Sequence, residues 1–408
     1  MSTYLLLITR IALSFIRFGY ITLLALFISE DNLASIFFIS YLITFLAIII
    51  PIEYHYAVLR GCNFTNNGLN DESIPLFKHH LKAVNFLNYV FIAFAVISLI
   101  IFDSISSIIQ ENNDVTLLNI ILLLVVVFFE TKNNELYRYF QVSRIDLQIF
   151  NLLIRNLLPV IFHLLIVIFI KDINVITSYL CLIIFFNIIA SFLRNIYLKE
   201  SFFKLDLLPS LPTVDNIKFL KFSFPIVLIA TFYMQLDKIT LAYLLPGKDF
   251  IFYGFYSNLS NFIIVFTQIT VIQPQLKNWY GNNHIDFDYI ALFKRVFFVF
   301  LFACVLLFSA IFLSMYLPEV YKIRINASYI FLGYFLYSVS NILTVMLYVS
   351  KRDFLLLILE FLSVLFGILT FAFLFYAQLI SVEIFPLVLG TYLVAIKSYP
   401  FITLKKNI

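Results

Sequence analysis

The chain has 408 residues, of which 62% are hydrophobic and only 12% charged, with a net charge of +4. Soluble domains carry about a quarter charged residues, so this composition excludes a soluble globular protein and points to a polytopic membrane protein. No polar run is long enough to fold alone, and spans of about 20 apolar residues use lipid as their solvent.

Hydropathy predicts an all-α fold with twelve spans, at residues 4–28, 33–57, 83–102, 116–138, 149–170, 175–196, 219–245, 252–273, 292–314, 328–350, 354–376 and 382–403. The first is read as a retained helix rather than a cleaved leader, because almost no basic residue precedes it and no small-residue cleavage site follows. With the N-terminus placed in the cytoplasm, seventeen of the 27 Lys and Arg residues fall in inside loops, four fall outside and six lie within spans. That asymmetry predicts both termini on the cytoplasmic side. The longest inside connection, about Lys199 to Lys218, carries Pro209 and Pro212. It divides the chain into an N-terminal half, 1–205, and a C-terminal half, 206–408.

Two echoes suggest that the halves are copies. Val142-Ser143-Arg144-Ile145-Asp146 follows the fourth span, and Val349-Ser350-Lys351-Arg352-Asp353 follows the tenth. Pro51 and Pro274 sit toward the same end of the second and eighth spans. Six is an even number, so the halves share one orientation and are related by a pseudo-two-fold along the membrane normal.

Charge inside spans marks the candidate sites, because it is costly in lipid and faces protein or water. The first span holds Arg10, which snorkels to the surface, and the deeper Arg17, whose guanidinium can grip phosphate or carboxylate with two hydrogen bonds. The fourth ends in Glu130-Thr131-Lys132-Asn133-Asn134-Glu135, which either borders a wet cavity or forms an internally neutralised network through Glu130–Asn134 and Glu135–Arg138. Arg155-Asn156 in the fifth span and Glu360 in the eleventh are open to structural or cavity-lining roles. The seventh carries Asp237 and Lys238, which point about 100° apart and therefore need separate partners. They read either as a lock between the first and seventh spans or as a cationic site beside a coupling carboxylate. Ser257, Asn258, Asn261, Thr267, Gln268 and Gln273 on the eighth span serve sugar recognition or interhelical bonding. The same two roles are open to Tyr334, Tyr337, Ser338, Asn341 and Thr344 on the tenth.

Other chemistry is missing. There is no phosphate-cradling Gly-rich loop with Lys-Ser/Thr, so no built-in ATPase is expected. His55, His79, His80, His163 and His284 have no zinc-ligand spacing, and His79-His80 reads as a solvated loop surface. Cys62, Cys181 and Cys304 are scattered apolar fillers. No cofactor, metal or nucleic-acid partner is expected, and no enzymatic activity.

Phe222-Ser223-Phe224-Pro225, then Asp237-Lys238, then Gly254-Phe255-Tyr256-Ser257 make a pattern similar to the seventh and eighth helices of Wzx-type polysaccharide-lipid flippases. These are O-antigen and capsule exporters of the multidrug/oligosaccharidyl-lipid/polysaccharide exporter superfamily. The resemblance implies a bacterial inner-membrane protein that moves a polyprenyl-pyrophosphate-linked oligosaccharide to the periplasmic leaflet by alternating access. A glycan polymerase and chain-length machinery are its implied functional partners. The substrate and cavity residues read from the chain are Arg17, Lys132, Lys238, Tyr337 and Asn341. Glu130, Asp237 and Glu360 are the carboxylates that could carry H+ or Na+. The competing readings are a small-molecule antiporter of the same superfamily and a membrane glycan polymerase or ligase. The last lacks the large outside loop such enzymes carry.

Overall fold

Leucine- and isoleucine-rich runs without internal backbone partners in lipid have one local solution, the α-helix, and helices make up most of the described residues. A computed structural model describes residues 2–51, 64–65, 68–69, 74–101, 117–143, 145–170, 173–199, 207–211, 221, 224–226, 228–231, 235, 238, 247–272, 274–275, 289–314, 327–350 and 352–404. Its helices are α1 (Ser2–Leu24), α2 (Glu30–Ile49), α3 (Ile74–Ile101), α4 (Leu117–Ser143), α5 (Ile145–Leu152, then Leu158–Phe169), α6 (Val175–Leu198), α7 (Gly247–Thr267), α8 (Tyr289–Ser314), α9 (Ala327–Val349), α10 (Asp353–Tyr376) and α11 (Phe385–Leu404). Among the described residues nine helices, α2, α3 and α5–α11, are long and apolar enough to cross a membrane. Of the seventh predicted span only separate helical residues are described. A two-residue antiparallel ladder joins β1 (Phe64–Thr65) to β2 (Gly68–Leu69).

Local chemistry sets the helix ends. Ser29 caps α2 by accepting from the Asn32 amide at 3.3 Å, with Glu30 and Asp31 in the first turn favouring the positive helix terminus. Asn174 caps α6 by accepting from the Thr177 amide at 2.9 Å. α6 and α10 run out into left-handed residues, Lys199 (φ 51°) and Gln378 (φ 57°). α3 starts nine residues before its predicted span, with Pro75 in the first turn where a missing N–H costs nothing. Phe77, His80, Leu81 and Val84 are buried, so the helix continues through a stretch that hydropathy reads as loop.

α5 contains a π-helical stretch, Leu153–Leu157, in which the Leu158 N–H reaches back five residues to the Leu153 carbonyl. Pro159 supplies the reason: it has no N–H for the Arg155 carbonyl and its ring crowds the preceding turn. A second π stretch, Gln268–Ile272, extends α7.

The chain forms two compact units, one of Phe15–Val227 and the other of Thr3–Ser14 with Leu228–Ile408. In the first, α4 packs against α6, α2 and α3 around Ile39, Ile43, Val126, Val127, Ile176 and Leu180. The segment 207–211 is tied to α3 in this unit: Ser210 N–H donates to Lys82 O (3.1 Å), the Asn85 amide to Leu208 O (3.0 Å) and the Tyr89 hydroxyl to Leu207 O (2.8 Å). In the second unit α9 packs against α11 and α7, and α10 against α11. Two glycines permit the α9–α11 approach. A Cβ on Gly333 would lie 2.5 Å from the Pro386 backbone, and one on Gly390 would lie 2.8 Å from Leu336 Cβ.

Candidate functional site: buried charge in each unit

The polar end of α4 lies inside the first unit. Thr131, Lys132 and Asn133 are fully buried, and Glu135 is 1% exposed. Four polar residues of this stretch find partners on other helices. Glu130 and Asn134, one turn apart on α4, both accept from Arg155 Nη2 on α5, Asn134 at 2.8 Å. Arg155 Nη1 donates to Asn151 Oδ1 at 3.3 Å. Glu135 meets His80 Nε2 at 2.8 Å. Asn133 donates to the Asn187 side chain at 2.8 Å and to its carbonyl at 3.1 Å on α6. Lys132 places its ammonium 4.2 Å from the centre of the Phe128 ring and 5.9 Å from that of Phe129. A cation on a ring face in a desolvated setting gains about 2 kcal/mol.

This geometry corrects one expectation. His80 is not a solvated loop residue: it is 1% exposed and bound to Glu135, because α3 begins early enough to turn it toward α4. Of the pairs expected within α4, Glu130 and Asn134 meet through Arg155 Nη2. Glu135 is engaged by His80, and the Arg138 side chain lies outside the described residues.

A second cluster in the same unit was not anticipated. His163 on α5 is fully buried, and its Nδ1 lies 2.6 Å from the Tyr20 hydroxyl of α1. Its Nε2 lies 3.0 Å from the Val175 carbonyl and 3.1 Å from Ser178 Oγ on α6. The ring also packs on Tyr179, whose hydroxyl is 2.9 Å from Ser40 Oγ on α2. With Nε2 protonated and Nδ1 accepting from Tyr20, neutral imidazole satisfies both nitrogens and links α5 to α1 and α6.

In the other unit Glu360 on α10 pairs with Lys397 on α11, and both side chains are fully buried. The Lys397 ammonium also donates to Ser340 Oγ (2.8 Å) and Thr344 Oγ1 (2.9 Å) on α9, so its three protons have three oxygen acceptors. Thr344 in turn donates to Glu360 Oε1 at 3.2 Å. The sequence signal for this pair was available: Lys397 and Glu360 each stand in an apolar span.

Lys238 is 5% exposed, with its ammonium 5.3 Å from the centre of the Tyr334 ring. Tyr334 and Tyr337, both 2% exposed, tilt against one another with centroids 5.5 Å apart. Asn341, one turn beyond Tyr337 on α9, is partly buried. The hydroxyls of Ser257, Thr267 and Ser338 return to carbonyls of their own helices. Asp237 and the side chains of Arg10 and Arg17 lie outside the described residues. The structure therefore brings Glu130 to Arg155, Glu360 to Lys397, and Lys238 to Tyr334 beside Tyr337. Among the described residues no cluster of His, Cys, Asp and Glu is arranged to hold a metal ion.

No protein-family model matches the chain, and no curated protein does. Among solved structures it is similar to the crystal structure of the eukaryotic MATE transporter AtDTX14, with a TM-score of 0.54 at 12% identity. The match covers 98% of this chain and 93% of that one. At that identity the likeness shows the fold: a polytopic, all-helical membrane protein of MATE-transporter architecture over its whole length.

Proposed function

We propose that the chain is a flippase that carries a polyprenyl-pyrophosphate-linked oligosaccharide, an O-antigen or capsule repeat unit, across a bacterial inner membrane by alternating access. Twelve spans with both termini cytoplasmic, in halves 1–205 and 206–408 related by a pseudo-two-fold, are part of this reading. The single observation that carries it is buried cationic charge in a transporter-like fold. Lys132 and Lys238 sit against aromatic rings, and Arg155 sits among amides and a carboxylate. A pyrophosphate head with attached sugars needs cations for its phosphates and aromatic or amide surfaces for its sugars, while its lipid tail stays in the bilayer. Arg17, Tyr337 and Asn341 are the other residues proposed to contact substrate.

With no nucleotide-binding loop in the sequence, direction comes from an ion gradient or from removal of product. Asp237, Glu130 and Glu360 are the proposed carriers of H+ or Na+. Glu130 and Glu360 are each held by a cation, so either must exchange partners to load an ion.

The test is the leaflet location of the lipid-linked repeat unit in a strain lacking this gene and any paralogue. The unit is expected to accumulate in the cytoplasmic leaflet; arrival in the periplasmic leaflet at the normal rate overturns the reading. A second reading, small-molecule antiport, is favoured by the whole-length likeness to a MATE transporter. It predicts gradient-driven efflux of organic cations and no change in the lipid-linked glycan.

A further inference from the structure

Arg155 is bonded less completely than its burial demands. Its side chain is 4% exposed, yet Nε has no hydrogen-bond partner. Nε and Nη2 lie on one edge of the guanidinium, the edge that grips a carboxylate or phosphate with two parallel bonds. Glu130 meets the guanidinium with a single oxygen, at Nη2, which also donates to Asn134 Oδ1 at 2.8 Å. A buried N–H left unmade is costly, and so is a two-pronged edge held by one prong.

Three further features bear on this edge. Glu130 is the more exposed partner of the pair, at 20% against 4%, so the carboxylate is on the open side and the guanidinium on the closed side. Gln148, Asn151 and Arg155 have the spacing of one helix face, and Gln148 is fully buried with neither amide atom bonded. The π stretch Leu153–Leu157 holds Arg155 at its centre, and such interruptions recur at functional sites.

We propose that the Nε/Nη2 edge of Arg155 is an oxyanion site for a phosphate or carboxylate group, with Glu130 as its displaceable counter-ion. An incoming oxyanion makes the second bond that Glu130 does not. If the displaced carboxylate takes up one proton from the aqueous side, it offsets one negative charge of the incoming oxyanion. Among the described residues Arg155 is the one charged side chain bonded to Glu130; on α4 Lys132 is engaged by Phe128, and on α3 His80 is engaged by Glu135. Assigning the oxyanion to the transported substrate rests on the flippase reading, whereas the exchange itself does not.

The test is calorimetric titration of the purified protein in nanodiscs with inorganic pyrophosphate and, separately, with glucuronate. Each is run in two buffers of different ionisation enthalpy, so that protons taken up are counted. The expected result is binding of at least one probe with uptake of about one proton, tightening about ten-fold per unit fall in pH. Pyrophosphate binding assigns the site to the lipid-linked phosphates, and glucuronate binding to an acidic sugar. Glu130→Gln is expected to bind about ten-fold tighter, without proton uptake. Arg155→Lys, which keeps the charge and loses the two-pronged edge, is expected to bind about ten-fold weaker. The charge-balanced pair Glu130→Gln with Arg155→Gln guards against misfolding and is expected to bind neither probe. No binding by the wild type, or unchanged affinity and proton uptake in Glu130→Gln, overturns the site. The leaflet assay separates the two ideas. Exchange without glycan movement leaves the site and removes the flippase reading; glycan movement with no Glu130-dependent exchange does the reverse.

Discussion

Replacing Lys397 by methionine removes the ammonium that three oxygen atoms surround, and keeps most of the side-chain volume. What remains is the Glu360 carboxylate, fully buried, with the Thr344 hydroxyl as its donor at 3.2 Å. Breaking a buried pair from one side costs about 3–5 kcal/mol, because the surviving charge is left uncompensated. For a unit of roughly 180 residues that corresponds to a fall on the order of 10 °C in melting temperature. Removing both charges, as Lys397→Met with Glu360→Met, leaves no orphan and is expected to be near neutral or up to about 4 kcal/mol stabilising. The assay is fluorescence-detected size exclusion of heated, detergent-solubilised protein for the wild type, both single variants and the double variant. A harmless Lys397→Met, or a double variant as damaged as the sum of the singles, would refute the argument. Transport in the double variant then decides whether Glu360 has a coupling role beyond the pair.

The α9–α11 contact predicts that Gly333→Val disrupts the second unit, since even a single Cβ would come within 2.5 Å of the Pro386 backbone. Overpacking of this kind costs typically 1–3 kcal/mol or more, and the same heating assay measures it. Tyr20→Phe leaves His163 Nδ1 buried without its donor, and a loss of about 1–3 kcal/mol is expected. Tyr20→Phe combined with His163→Leu should restore part of it. Asn85→Ala removes the donor to the Leu208 carbonyl; faster amide exchange at 207–211, with α3 itself unchanged, is the expected mass-spectrometric result.

The helices and the membrane class were legible because apolar runs of bilayer length have one local outcome, and the observed boundaries of α6, α9, α10 and α11 lie close to their predicted spans. The partners of the buried charges were not legible. Sequence spacing offers Glu135 an Arg138 one turn away, but no spacing points to His80, fifty-five residues earlier. Within one helix only i±3 and i±4 neighbours can be inferred, whereas burial makes each charge seek a partner wherever packing delivers one. His163 illustrates the other blind spot. With neutral partners on two other helices, it has no motif, only a polar residue in an apolar run. Pro159 was visible, but the sequence alone does not say whether a proline in a membrane helix yields a kink or a π stretch.

The π stretch of α5 also acts as a phase setting. A straight helix advances ~100° per residue, so one residue absorbed into a wider turn rotates everything after it relative to everything before. Arg155 faces Glu130 while His163, eight residues on, faces Tyr20 and α6, and both orientations depend on that offset. Deleting a single residue between Leu153 and Leu157 would shorten the helix by only ~1.5 Å yet turn one polar cluster ~100° out of register with the other. The length of this segment, more than its composition, is therefore what the two clusters require in common.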